Sequence, residues 1–440
     1  MEMPSARRTR AKPIGDHVVL WGACLLLSSL SLLVAAVSSG FGLGAAARLT
    51  GEVRLSALVR ATTTATTGAG VVRGYCGGGG DDDDLGSMSV DGEWVRDDDG
   101  ERYPLYQPGQ CPFVDPGFRC RENGRPDGEY AKWRWRPRRC TLPRFNATKL
   151  LETLRNRRLV FVGDSIGRNQ WESMLCMLYS AAVAAGSGDE GAVYEENGNP
   201  ITKHEGFLSF RFRDHNCTVE HYRSPYLVRR GHPPRRAPKR VASTVQVSAM
   251  DPRAPRWKDA DVLVFNTGTG GTRKGCSDSK SRPELNARST LLDGKKLRMN
   301  MSVEDAYQRA MNTLQKWIQK EVNASKTLIV LRTYSPAHIR ATNSGGCATE
   351  TSPELNTSKI SLHQWPGMLN PALEASSRIQ VLNVTLMTAQ RRDGHPSVYN
   401  VGPSLRMPVG QRADCSHWCL PGVPDAWNEL LYAMIVRRFS

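Results

Sequence analysis

The chain has 440 residues, of which 40% are hydrophobic, and a formal net charge of +16. That length and apolar content are enough for one large globular domain, or two ordinary ones, with a sizeable core. The positive charge suggests an anionic partner. Nucleic acid is the usual first candidate, and the amino-terminal sequence argues against it.

The amino terminus is predicted to anchor the chain in a membrane. Residues 1–17 form a tail with four Arg or Lys residues, and an uncharged apolar stretch follows over residues 18–37. About 20 such residues cross a bilayer as a helix, and the basic flank then stays in the cytosol. Cleavage near Ala35–Ser39 would instead make the stretch a signal peptide, but it is longer than the ~7–15 residues of a signal core. We therefore expect residues 18–37 to be the retained anchor of a single-pass type II protein.

Two further features agree with a lumenal domain. The cysteines between residues 111 and 419 would meet oxidising conditions, so disulfides are expected, although spacing does not give their pairing. Sequons for N-glycosylation, which occurs in the secretory pathway, begin at Asn146, Asn216, Asn300, Asn323, Asn356 and Asn383.

A lumenal domain does not meet nucleic acid, so an acidic polysaccharide is the favoured anionic partner. The densest basic run, residues 229–240, contains three prolines and no hydrophobic period, which predicts an exposed loop. A simple solvated loop and a polymer-binding loop both remain open.

The composition divides the lumenal part into a stalk and a domain. Residues 38–86 are rich in Gly, Ala and Thr and end in a glycine run followed by an aspartate run. Such a segment buries too little apolar surface to fold, so it is expected to be a disordered stalk. Residues 87–440 have a globular composition and are expected to form the folded lumenal domain.

Short apolar runs bounded by turn signals predict buried parallel strands at Leu159–Val162, Val262–Phe265, Leu328–Leu331 and Ile379–Val384. A helix is predicted after the first strand, through Trp171 and Leu178. Another is predicted after Ser302, which has the residue type of a helix cap. Strands that alternate with helices predict a three-layer α/β domain with a parallel central sheet.

The first strand ends in Gly163-Asp164-Ser165. Open α/β folds place their active sites at this carboxyl edge of the sheet. Gly163 permits a tight turn, and the positive end of the following helix favours a developing oxyanion. Arg168 and Asn169 follow on that helix and either support the site or form a solvated first turn. A simple turn is the alternative for the whole motif, because turns use these residues freely.

A partner for the serine lies far along the chain, in Asp414-Cys415-Ser416-His417. A hydroxyl needs a base to take its proton, and the imidazole that serves as base needs a carboxylate to orient it. Ser165, His417 and Asp414 are therefore predicted to form a catalytic triad. A zinc site of Cys415, His417 and Cys419 is the alternative, which the spacing and the oxidising compartment disfavour, so no metal is expected.

Long motifs resemble one family, the trichome birefringence-like plant polysaccharide O-acetyltransferases. They include CTLPRFNA and FVGDSIGRNQWESMLCML in the first half of the domain and DCSHWCLPGVPDAWNELL at its end. The resemblance covers roughly residues 87–440. It implies a GDSL/SGNH-hydrolase-like fold, with the family's serine at Ser165 and its Asp-x-x-His pair at Asp414 and His417. It also implies an oxyanion donor at Asn266.

The implied activity is transfer of acetyl, through an acetyl-serine, to backbone sugar hydroxyls of a cell-wall polysaccharide, most often xylan. No bound cofactor is expected. The acetyl donor is acetyl-CoA or an acetyl-delivering membrane protein, and the implied location is the Golgi membrane. After the shared Asn266-Thr267-Gly268, the family commonly has His-Trp-Trp, whereas this chain has Thr269-Gly270-Gly271. This departure keeps a non-catalytic polysaccharide-binding protein open. A polysaccharide acetylesterase stays open because it would use the same triad, and a pectin or mannan acetyltransferase because the resemblance assigns those polymers to other members of the family.

Overall fold

The computed structural model describes part of the chain: residues 91–98, 102–201, 206–235, 237–239, 241, 243–268, 289–293, 296–298, 301–338, 346–360, 378–405 and 413–439. The predicted anchor and stalk, Asn300 and residues 269–271 lie outside these ranges. Within these ranges, no helix combines the length and the apolar character needed to span a membrane.

The described elements are as follows. The strands are β1 (Gly92–Arg96), β2 (Trp133–Pro137), β3 (Arg158–Gly163), β4 (Val193–Glu195), β5 (Phe207–Phe212), β6 (Cys217–Arg223), β7 (Val228–Gly231), β8 (Ser243–Met250), β9 (Val262–Asn266), β10 (Ser289–Asp293), β11 (Lys296–Arg298), β12 (Leu328–Arg332) and β13 (Gln380–Leu382). The α-helices are α1 (Ala147–Thr153), α2 (Ser165–Ala185), α3 (Val303–Glu321), α4 (Thr385–Ala389) and α5 (Val423–Phe439).

The central sheet has the strand order β13-β12-β9-β3-β6-β5-β4. Pairing is parallel from β13 to β6, and this parallel part contains all four predicted strands. The expectation of a wholly parallel sheet is wrong at one edge, where β6, β5 and β4 pair antiparallel. Strands β5 and β6 are joined by a tight connection in which Asn216 adopts a left-handed conformation, with φ 47°. A tight connection of this kind joins antiparallel neighbours only.

Helices cover both faces of this sheet, as the three-layer prediction requires. Successive residues of β3 point to opposite faces. Leu159 and Phe161 pack in the core with α1, α2 and α5, whereas Val160 and Val162 pack in the core with α3. Burial on both faces explains why these strands read as uninterrupted apolar runs in the sequence.

Helix α3 confirms the predicted capping at Ser302. The Ser302 side chain accepts a hydrogen bond from the Asp305 amide, and the apolar stripe with Tyr307, Leu314 and Ile318 is buried against the sheet. A smaller sheet, β11-β10-β8-β7, packs on the same helix through its valines. Arg229 and Arg230 are exposed as predicted, but they lie in β7 rather than in a loop.

The segment before α1 is fastened to the rest by covalent bonds. Disulfides join Cys111 to Cys176 in α2 and Cys120 to Cys419, and a further one joins Cys347 to Cys415. Cys140 is also disulfide-bonded. Extensive disulfide formation is therefore confirmed, and Cys217 is the free cysteine among the residues that the structure describes.

Candidate active site

Ser165 lies where β3 ends and α2 begins, at the carboxyl edge of the parallel strands. Asp164 caps the helix, because its Oδ1 accepts hydrogen bonds from the amides of Ile166 at 2.9 Å and Gly167 at 3.2 Å. The side chain of Asp164 therefore fixes the first turn of the helix. Ser165 is held as the first helical residue, at the positive end of the helix dipole.

His417 and Asp414 lie directly beside this serine. The distance from His417 Nε2 to Ser165 Oγ is 2.8 Å, and the distance from His417 Nδ1 to Asp414 Oδ2 is 2.7 Å. The other carboxylate oxygen of Asp414 accepts from the amides of Ser416 and His417, both at 3.1 Å. The imidazole is thus oriented by the carboxylate on one side and bonded to the hydroxyl on the other, which is the arrangement of a serine-type triad.

Disulfides and hydrogen bonds hold the segment that carries these two residues. Disulfides fix Cys415 to Cys347 and Cys419 to Cys120. The backbone of Asp414 exchanges two hydrogen bonds with Ser397, and His395 Nδ1 lies 2.6 Å from the carbonyl oxygen of His417. The two cysteines that the zinc alternative requires are therefore both used in disulfides.

Asn266, at the end of β9, lies between the end of β3 and the first turn of α2. Its Nδ2 donates to Asp164 Oδ1 at 2.6 Å. A Cβ atom at Gly163 or at Gly167 would lie 1.9 Å from Asn266 Oδ1, so neither position has room for a side chain. Sequence reasoning identified Gly163 for its turn and missed Gly167. A glycine within a helix lowers helix stability by about 1 kcal/mol relative to alanine. Its presence in the predicted helix was the sequence feature that could have indicated a close packing contact at Gly167.

Arg168 is buried, so the alternative of a solvated first turn is wrong. Its guanidinium pairs with Glu172 at 2.7 Å and with Asp115 at 3.3 Å, and it donates to the carbonyl of Ile201. Burial raises the pKa of Glu172 to about 7. Arg168 therefore joins α2 to the amino-terminal segment of the domain through Asp115.

Phe118 completes the surroundings of His417. Its ring is buried and its centre lies 5.3 Å from the centre of the His417 ring. Asp115 and Cys120, on either side of Phe118, are tied respectively to α2 and to Cys419. A hydrophobic wall against the imidazole is thus supplied by the amino-terminal segment, and no local pattern in the sequence indicated it.

The predicted glycosylation sites differ in accessibility. Asn146, Asn216, Asn323 and Asn356 are exposed. Asn383 is 8% exposed and Thr385 of the same sequon is 1% exposed. The side chain of Asn383 accepts from the Thr333 hydroxyl and the Thr385 amide. The folded domain therefore leaves no room for a glycan at Asn383.

Comparison with known proteins agrees with this geometry. Residues 142–434 match the GDSL/SGNH-like acyl-esterase family found in Pmr5 and Cas1p, and residues 89–141 match the PMR5 N-terminal domain. The junction at residue 141 separates the segment that supplies Phe118 from the part that supplies the triad.

Three relatives from plants cover most of the chain. Protein trichome birefringence-like 9 of Arabidopsis thaliana is 41% identical over 363 residues, which are 78% of this chain and 82% of the relative. Trichome birefringence-like 6 of the same organism is 42% identical over 351 residues, 79% of this chain and 70% of the relative. Xylan O-acetyltransferase 14 of Oryza sativa subsp. japonica is 35% identical over 383 residues, 78% and 76% of the two chains. The predicted resemblance is confirmed, and the chain belongs to the trichome birefringence-like protein family.

Proposed function

We propose that this chain is a polysaccharide O-acetyltransferase that carries an acetyl group on Ser165 and delivers it to a sugar hydroxyl. The observation that carries the proposal is the unbroken hydrogen-bonded series from Asp414 through His417 to Ser165. Such a series activates a serine hydroxyl toward an acyl carbonyl. The name of the rice relative, a xylan O-acetyltransferase, favours xylan as the acceptor.

In the first half-reaction Ser165 Oγ attacks the carbonyl carbon of the acetyl donor. His417 Nε2 takes the hydroxyl proton, and Asp414 stabilises the imidazolium that results. The donor's leaving group departs with that proton when the tetrahedral intermediate collapses. An acetyl ester on Ser165 and a neutral imidazole remain. Acetyl-CoA, or an acetyl group handed over by a membrane protein, is the proposed donor.

In the second half-reaction the sugar hydroxyl gives its proton to His417 and attacks the acetyl-serine. The proton returns to Ser165 Oγ, and the acetylated sugar leaves. The amides of Ile166 and Gly167 are already used by Asp164. In this proposal the oxyanion therefore accepts from the Ser165 amide and from the second amide hydrogen of Asn266, whose first goes to Asp164 at 2.6 Å.

An acetylesterase is the second candidate, and the description of the matching family as acyl-esterases favours it. The two activities share the acetyl-serine and differ only in whether water or a sugar hydroxyl resolves it. An acceptor panel separates them. Deacetylated xylan, mannan and pectic oligosaccharides are incubated with acetyl-CoA and the lumenal domain and are analysed by mass spectrometry.

We expect one acetyl mass to be gained by the xylan oligosaccharides. Ser165→Ala should lower turnover on the order of 10⁶-fold, the size of the effect in a serine hydrolase. Asp414→Asn should retain more activity, with a loss on the order of 10⁴-fold. Acetyl transfer by Ser165→Ala at the rate of the wild type would contradict the proposal. Deacetylation of acetylated xylan without transfer to any acceptor would favour the esterase.

A further inference from the structure

Asn169 lies one helical turn after Ser165 in α2 and is completely buried. Its carboxamide meets both backbone groups of a single residue, Trp418. Asn169 Oδ1 accepts from the Trp418 amide at 2.7 Å, and Asn169 Nδ2 donates to the Trp418 carbonyl at 3.2 Å. The site requires an acceptor and a donor on one short planar group, which a carboxamide supplies.

This pairing joins the two halves of the triad. Residues four apart lie on one face of a helix, so Ser165 and Asn169 face the same neighbour. His417 and Trp418 are adjacent in that neighbour, the segment 414–419. The serine and histidine are separated by 252 positions in the chain, so their distance depends on how this segment seats against α2.

Trp418 is itself held firmly on its other sides. Its ring stacks on His395 with 4.0 Å between the ring centres, and its indole nitrogen donates to Ser335 Oγ at 3.1 Å. Displacement of its backbone would therefore be carried to the adjoining peptide unit of His417.

We propose that Asn169 is a positioning residue for acetyl transfer, because its carboxamide fixes the Trp418 backbone and thereby holds His417 Nε2 within hydrogen-bonding distance of Ser165 Oγ. The inference rests on the proposed function, since it assumes that Ser165 is the nucleophile. Asn169 is completely buried and bonded to the Trp418 backbone, so in this proposal it acts through that segment.

Asn169→Asp provides a test that depends on pH. A protonated carboxyl reproduces both contacts, because its hydroxyl donates to the Trp418 carbonyl while its other oxygen accepts from the amide. A carboxylate cannot donate and meets the carbonyl with a repulsive charge. Burial raises the pKa of a carboxyl. The variant should therefore resemble the wild type at low pH and lose the contact as pH rises.

Other charged or titratable groups around this contact belong to α2, β6, β12, the segment that follows β12 and the segments around the triad. They include Asp164, Arg168, Glu172, His221, Arg332, His338, His395, Asp414 and His417. All of them are present in both the wild type and the variant. The ratio of variant to wild type at each pH therefore isolates the substituted side chain.

The readout is the rate at which a fluorophosphonate probe labels Ser165 in the folded protein. In this reaction Ser165 Oγ forms a bond to phosphorus, fluoride leaves, and His417 takes the hydroxyl proton. A misplacement of about 1 Å costs about 100-fold in rate. We expect Asn169→Asp to be labelled about 100-fold more slowly than the wild type at pH 8 and nearly as fast at pH 5. Asn169→Ala should be slow at both.

Asn428→Asp is the matched control. Asn428 is a completely buried amide on α5, and its Nδ2 donates to the Gln170 carbonyl and to Ser173 Oγ, both at 2.9 Å. It contacts the same helix without contacting residues 414–418 in these hydrogen bonds. The control should lose stability while keeping the wild-type pH profile of labelling.

The outcomes are distinct. Labelling of Asn169→Asp at the wild-type rate at pH 8, in protein with a native near-UV circular dichroism spectrum, would overturn the inference. Failure of both Asn169 variants to fold at pH 5 and pH 8, while Asn428→Asp folds, would also overturn it, because Asn169 would then be structural. A wild type that the probe does not label at Ser165 contradicts the proposed function instead.

Discussion

At the residue scale, the position of Ser165 depends on two neighbouring glycines that have no side chain. Gly163 and Gly167 leave space on either side of Ser165, and the Asn266 side chain fills it. Asn266 in turn donates to Asp164, which caps the helix. Because Gly163 and Gly167 have no side chain, the Asn266 side chain fits against the end of β3 and the start of α2. The absence of a Cβ matters here for packing rather than for backbone freedom.

Gly167→Ala should therefore damage the site, although the same change usually stabilises an exposed helix by about 1 kcal/mol. A Cβ at this position would lie 1.9 Å from Asn266 Oδ1. We expect the free energy of unfolding to fall by about 1–3 kcal/mol, as for other overpacked cores, and labelling of Ser165 to slow. Chemical denaturation and probe labelling measure the two effects. Gly402→Ala is the control, because among the described residues no heavy atom outside Gly402 and its two chain neighbours lies within 4 Å of its added Cβ.

At the element scale, α5 brings acids into the core. Asp425 accepts from Ser173 Oγ at 2.6 Å, and Glu429 Oε1 accepts from the Tyr103 hydroxyl at 2.5 Å. Glu429 Oε2 has no hydrogen-bond partner among the described residues. Burial raises the pKa of both carboxyls to about 7. The helix therefore packs most favourably with its acids protonated.

Stability should accordingly fall as pH rises. An unfolded glutamate has a pKa of about 4.3, so between about pH 4.3 and 7 the folded chain keeps a proton that the unfolded chain has released. Glu429→Gln keeps an oxygen for Tyr103 and removes the ionisation. We expect it to raise the free energy of unfolding at pH 8 by up to about 4 kcal/mol and to change it little at pH 4.5. Denaturant titrations at the two pH values would show this, and an equal change at both would contradict it.

The segment 414–419 is the second element whose behaviour can be tested, because disulfides hold it near both ends. Removing the Cys347–Cys415 bond by a double substitution to serine should cost about 2–5 kcal/mol of stability. It should also slow the labelling of Ser165, since Cys415 adjoins Asp414. Melting curves and probe labelling of the unreduced variant test the two statements.

The Cys111–Cys176 bond is the matched control for that experiment. The sequence separations of the two bonds are 65 and 68, so their loop-closure contributions to stability are similar. Neither Cys111 nor Cys176 adjoins a triad residue. Removal of the Cys111–Cys176 disulfide should lower the melting temperature about as much as removal of the Cys347–Cys415 disulfide. It should leave the labelling rate of Ser165 in the folded protein unchanged. Equal slowing in both variants would show that the effect is one of general stability.

At the scale of the whole molecule, we propose the arrangement that the sequence predicts: an anchor at residues 18–37, a stalk at 38–86 and a lumenal domain. Three described disulfides and four exposed sequons favour a lumenal location for the domain, because disulfides form and persist in oxidising compartments. Because a retained anchor spans the bilayer, full-length protein should resist carbonate extraction. Protease added outside sealed microsomes should leave the domain intact. Release of a soluble protein that starts near residue 40 would refute the anchor.

The sequence by itself determined the features that depend on neighbours in the chain. The parallel strands β3, β9, β12 and β13 and the helix capped by Ser302 follow from short-range patterns of apolar and capping residues. Long motifs also identified the family. The placement of a serine at the carboxyl edge of a strand, and of an aspartate three residues before a histidine, needed nothing beyond local spacing.

Helix α5 marks the limit of that reasoning. It is buried on nearly all sides, so its apolar and polar residues follow no single face, and acids such as Asp425 and Glu429 lie in the core. A helix period in the sequence reflects one wet and one dry face. When both faces of a helix are buried, the sequence shows no helical period of apolar residues. The sequence alone therefore did not predict α5.

Only the tertiary structure decided which distant groups meet. It paired the cysteines, buried Asn383, turned one edge of the sheet antiparallel and placed Asn266 between two glycines. It also brought Asn169 to Trp418 across 249 positions of the chain. Such contacts produce no periodicity or fixed spacing in the sequence, because the partners lie far apart in the chain and the local pattern around one carries no information about the other. Their geometry is fixed by the packing of whole elements, and in this chain that packing brings His417 to Ser165.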